Sequence, residues 1–85
     1  MKTIRFFENR NIVSKRVRLA RQSQKMSQQD LAARLQTMGV GIDQQGISKI
    51  ENNQRIVTDY ELVCLCKALS RSYEWMLEDI DASFK

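Results

Sequence analysis

Apolar residues along this chain recur at spacings of three and four, and no stretch alternates with period two for long enough to make a strand. This spacing predicts about five short helices. The first runs from Asn11, read as its N-cap, to Gln24, with Val13, Val17 and Ala20 forming an apolar stripe and Leu19 lying off it. The second opens at Ser27-Gln28-Gln29-Asp30, a capping-box pattern in which Asp replaces the longer Glu, and its apolar face is Leu31, Ala32, Leu35 and Met38. Gly39-Val40-Gly41 ends it, because glycine readily takes the left-handed conformation that closes a helix.

A third, shorter helix spans Asp43 to Asn52. Asp43 caps it, Ile42 is placed as a hydrophobic staple, and Ile47 with Ile50 makes a narrow apolar stripe. It stops at Asn52-Asn53, since asparagine is the commonest non-glycine residue in the left-handed region. The fourth helix begins at a second capping box, Thr58-Asp59-Tyr60-Glu61, and turns Leu62, Leu65, Cys66 and Leu69 inward. The fifth follows Ser72, with Tyr73, Met76, Leu77 and Ile80 on one side, and the tail from Asp81 to Lys85 is expected to fray. Short connections between short helices make a compact all-α bundle, one domain over 1–85 with its core at about 11–80. No repeat, low-complexity segment or linker divides it.

Composition narrows the function. A chain of 85 residues has room for one domain with a small core. It contains no His and two Cys, so His-based acid–base chemistry and Ser-His or Cys-His nucleophilic pairs are absent, and a four-ligand zinc site is not expected. Neither an enzyme nor a cofactor is anticipated. No apolar run approaches the roughly 20 residues of a membrane helix, and Arg5, Arg10, Lys15 and Arg16 interrupt any signal-like apolar segment. Cys64 and Cys66 stand two apart on a helix and point away from each other. Both are read as reduced thiols, Cys66 in the core and Cys64 nearer its edge, which points to the cytoplasm.

Charge is uneven along the chain. Residues 1–25 carry a net +7, residues 26–57 are neutral, and residues 58–85 carry a net −3. The basic front favours polyanions through a long-range, salt-sensitive attraction, although a solvated charged helix has the same composition. The neutral middle decides. There a helix, a connection and a second helix follow in succession, and the outer face of the second offers Gln44, Gln45, Ser48 and Lys49. A side-chain amide pairs with both N7 and N6–H of adenine, so it can read a base in the major groove. Gly46 beside the two glutamines lacks a side chain and would let the helix approach closely. Gln28 and Asn52, at the edges of the two helices, are placed to hold phosphates.

RVRLAR, MSQQDLAARL, GISKIEN and ELVCLCKALSRSYEWML, in that order from Val13 through Leu77, resemble the Cro/CI (Xre-type) helix-turn-helix family of bacterial and lambdoid phage repressors. The resemblance implies a lambda-repressor-like DNA-binding domain whose recognition helix spans about 43–52. It implies base contacts from Gln44, Gln45, Ser48 and Lys49. It further implies phosphate contacts from Gln28, which would also brace Gln44, and from Asn52 and Arg55. Arg21 matches the family's helix-one arginine, whose usual partner is here Glu51.

The chain departs from the family pattern at two places. The connection over 36–42 is about five residues longer than the usual turn, so either the second helix extends or the connection bulges. Asn53 stands where the family usually has Gly. The function expected is sequence-specific binding of double-stranded DNA as a transcriptional regulator, a repressor acting as a homodimer on an inverted repeat. The contact surface for that dimer is sought in the fifth helix, the tail or Phe6-Phe7. The alternative is a protein-interaction module or antitoxin-like adaptor that keeps the fold, with the acidic 58–85 segment, Trp75 and Phe84 as its surface.

Overall fold

A computed structural model of the protein describes residues 8–78 and contains five helices there: α1 (Ser14–Ser23), α2 (Gln28–Thr37), α3 (Gln44–Glu51), α4 (Asp59–Ala68) and α5 (Tyr73–Met76). Phe6, Phe7, Ile80, Phe84 and the tail lie outside the described residues. The apolar stripes converge on one core, in which Val17, Leu31, Leu35, Ile47, Ile50, Leu65, Leu69 and Met76 are fully buried. Helix α3 packs on both α1 and α2, α2 packs on α4, and α4 on α5.

The helix starts follow local chemistry. Ser27 accepts from the Asp30 N–H while Asp30 accepts from the Ser27 N–H, and Thr58 and Glu61 make the same reciprocal box. Asp43 accepts from Gly46 N–H at 2.8 Å, and Ser72 accepts from Trp75 N–H at 3.0 Å. Helices α1 to α4 all end the same way. A left-handed residue, Lys25, Gly39, Asn53 or Ser70, is followed by one whose N–H reaches back to the last turn. Only Gly39 does so without the steric cost of a Cβ.

The longer connection between α2 and α3 bulges. Helix α2 closes at Thr37, and the chain then buries Val40 and Ile42 in the core before Asp43 caps α3. Met38, expected on the buried face, is instead the C-cap of α2 and is 41% exposed, because the left-handed turn at Gly39 carries the chain inward one residue later, at Val40. Gly46 is explained differently too. A Cβ there would lie 2.7 Å from Ile42 Cγ2, so the missing side chain makes room for the buried staple residue beneath α3.

Two further expectations are corrected. Tyr73 is half exposed rather than part of an inner face. Trp75 is not an open apolar surface: it packs against the core, with the guanidinium groups of Arg16 and Arg71 at 4.7 and 5.1 Å from its ring centre.

Asn11 is no helix cap. Helix α1 starts at Ser14 with Val13 before it, and buried Asn11 serves a tertiary clasp. Its Oδ1 accepts from Val13 N–H, and its Nδ2 donates to the carbonyls of Ile50 and Arg55 at 3.0 and 2.9 Å. Opposite it, Asn53 Oδ1 accepts from the backbone N–H groups of Arg10 and Asn11, while its Nδ2 donates to Asn9. Residues 9–13 are thereby fastened to the end of α3. Asn11→Ala leaves two carbonyls and one N–H without this partner, a loss of about 1–3 kcal/mol. Thermal unfolding followed by circular dichroism should show a Tm lower by on the order of 10 °C for a domain of this size. A Tm within about 2 °C of the wild type, well short of that drop, would show that the clasp does not stabilise the fold.

Candidate nucleic-acid interface

Helix α3 turns Ile47 and Ile50 to the core, which leaves Gln44, Gln45 and Lys49 exposed on its other side. Gln44 and Gln45 form the first turn, and no hydrogen bond ties either amide to another described residue. Their donors and acceptors are therefore both available at the capped end of the helix. Ser48 lies one turn further along, half-buried, and Lys49 stands in the last turn.

Beside this face runs a connected polar network centred on Glu51, whose side chain has 0% exposure. Arg21 from α1 approaches it with two donors, Nε at 2.7 Å from Oε2 and Nη2 at 2.9 Å from Oε1, and donates its Nη1 to the Met26 carbonyl. Gln28, the first residue of α2, donates Nε2 to Oε1 at 3.2 Å. Arg18 donates Nε to the same oxygen at 3.4 Å and Nη2 to Asn52 Oδ1 at 2.9 Å. Asn52 Nδ2 in turn meets Ser48 Oγ at 3.4 Å. One carboxylate thus joins α1, α2 and α3.

The pairing inferred for Arg21 and Glu51 is present with bidentate geometry. Gln28, Ser48 and Asn52 are drawn into the same network. The Gln28 amide is directed to Glu51 rather than to Gln44, so its link to α3 is at the far end of that helix. Arg55 lies apart. Its Nη1 and Nη2 each sit 3.0 Å from a carboxylate oxygen of Glu61, and Nη1 also donates to the Ile56 carbonyl. That pairing commits its charge to holding the 54–58 turn on α4.

Sequence reasoning assigned no role to Arg18. The signal available was its position three residues before Arg21, which places both on one side of α1.

Burial pushes the Glu51 carboxyl up, but the hydrogen bonds from Arg21 and Gln28, with the charge of Arg21 and the bond from Arg18, outweigh it and hold the group below the usual carboxylate range. Hydrogen bonds from Arg55 hold Glu61 low against its burial. A carboxylate with a depressed folded pKa stabilises the fold fully above its unfolded value, and that stability disappears as pH falls through the folded one. With no His in the chain, Tm should be flat from about pH 6 to 8 and fall below about pH 4.5, the range where unfolded Glu titrates. Glu51→Gln should lower Tm at pH 7 and show a smaller further drop between about pH 5 and 3. An identical Tm-against-pH curve for this variant would contradict the arrangement.

Comparison with known proteins agrees with this geometry. Residues 17–76 match the helix-turn-helix family of the Cro/CI/Xre type, a non-enzymatic DNA-binding family, and the match runs from Val17 in α1 to Met76 at the end of α5. No curated protein and no solved structure matches the chain. Among the described residues no helix is long and apolar enough to cross a membrane. A capped α3 seated on α1 and α2, with its polar face outward and a family match over most of the chain, makes the protein a member of the Cro/CI/Xre-type helix-turn-helix family of DNA-binding domains.

Proposed function

We propose that the protein is a sequence-specific transcriptional regulator of the cytoplasm of a bacterium or a phage-infected cell, repressing by occupying an operator as a homodimer. The observation that carries this reading is the pair of free amides on the first turn of α3, Gln44 and Gln45, on a helix whose opposite end is locked to α1 and α2 through Glu51. In this reading α3 enters the major groove. Gln44 and Gln45 address adenine edges, and Ser48 and Lys49 make contacts further along. Gln28 and Asn52 use their remaining amide hydrogens on the flanking phosphates, which set the register of the helix. Arg55, held by Glu61, is the weakest of the proposed phosphate ligands and acts through whatever charge that pair leaves uncompensated.

A helix of eight residues reads few base pairs. A second copy on an inverted repeat doubles them, which is why a homodimer belongs to the proposal.

Selection from a random duplex pool at near-physiological salt tests it. The wild type should enrich an inverted repeat. Gln44→Ala and Gln45→Ala, with unchanged circular dichroism, should each lose preference at one or two base pairs per half-site, at a cost of about 1–3 kcal/mol per lost bidentate contact. An unchanged motif in both variants would remove the glutamines from base reading. No enrichment by the folded wild type would favour a protein-interaction module instead.

A further inference from the structure

Two arginines face the single charge of Glu51, and they do so unequally. Arg21 is mostly buried and takes both carboxylate oxygens, at 2.7 and 2.9 Å. Arg18 reaches only Oε1, at 3.4 Å, and its side chain is 45% exposed. The trio therefore carries one surplus positive charge, and it resides on the exposed member.

The donors of Arg18 are divided in a way that points outward. Nε and Nη2 are directed at Glu51 and Asn52, while Nη1, with two N–H groups, has no partner among the described residues. Its effect on Asn52 is equally specific. A guanidinium only donates, so the Asn52 oxygen must face it, at 2.9 Å, and the amide nitrogen is turned to the other side, toward Ser48. The donor hydrogens left over at this edge of α3 are then those of Arg18 Nη1, the second of Asn52 Nδ2 and the second of Gln28 Nε2. A surplus cation surrounded by outward donors matches an anion with several acceptor oxygens.

We propose that Arg18 binds a backbone phosphate of the DNA duplex through Nη1 and is the positioning residue that fixes the Asn52 amide with its donor side outward. This inference rests on the DNA-binding reading above and adds to it a charged phosphate ligand from α1.

Duplex affinity of the full chain, measured by fluorescence anisotropy on a fixed random-sequence duplex from about 50 to 200 mM salt, tests both roles. Arg18→Gln should weaken binding about tenfold at low salt and reduce the slope of log K against log salt by about 0.9, the equivalent of one phosphate. Arg18→Lys keeps a charge and should keep the slope. Loss of the slope in Arg18→Lys as well would overturn the electrostatic role. Asn52→Ala should cost affinity in the wild-type background and little in the Arg18→Gln background, because the amide is no longer held; additive losses would overturn the positioning role.

A merely structural Arg18 would lower Tm yet leave the slope of the folded protein unchanged. That result, with a wild type that binds, overturns this proposal alone. A folded wild type that binds no duplex even at low salt overturns the DNA-binding reading and this proposal together.

Discussion

A carboxylate with no solvent exposure sits at the junction of three helices, and the presentation of α3 depends on it. Removing a charge from water is costly, and the cost is recovered only when its partners are complete. Glu51 has that completeness: a two-donor arginine, a glutamine amide and a third, longer contact converge on its two oxygens. Because those partners come from α1 and α2, the same bonds that make the charge tolerable also fix where α3 stands. The apolar side of α3, Ile47 and Ile50, supplies attachment without direction, whereas the Glu51 network supplies direction.

The remaining constraints act at the ends of α3. An isolated helix of eight residues is too short to persist in water, so its order has to come from its surroundings. At its start, Asp43 caps the backbone while Ile42 occupies the space that Gly46 leaves open. At its finish, the Asn11–Asn53 clasp satisfies the carbonyl of Ile50 and secures the residues beyond it. A helix pinned at both ends and along one side holds its outward glutamines in a narrow range of positions. Base reading by bidentate amides requires that order before binding.

What could be read along the chain divides by the range of the interactions. Ser27, Asp43, Thr58 and Ser72 were legible as caps because each bond closes within three residues. The stripes of Val13, Val17 and Ala20 and of Leu65, Cys66 and Leu69 were legible because helical period alone decides which side is buried. Asn11 was misread because the same side chain that caps a helix also satisfies carbonyls far along the chain, and its partners at Ile50 and Arg55 cannot be seen locally. Met38 fell off its stripe because Gly39 reverses the backbone just after it. Asn53 was legible as a left-handed residue, but the reason it is not glycine lies in Asn9, Arg10 and Asn11. In the interface, the Arg21–Glu51 pair came from family resemblance, while Arg18 had only its place three residues before Arg21 to mark it, since its partners lie more than thirty positions away.

The central claim is that the Arg21–Glu51 interaction holds α3 in place as a coupled pair. A double-mutant cycle of Arg21→Met, Glu51→Leu and the double variant, measured by urea unfolding, tests it most directly. Each single variant should lose about 3 kcal/mol, because it strands a charge or its partners in a nearly dry site, and the double variant should recover much of that loss. Single losses that simply add in the double variant would contradict the claim and reduce the pair to two energetically independent side chains.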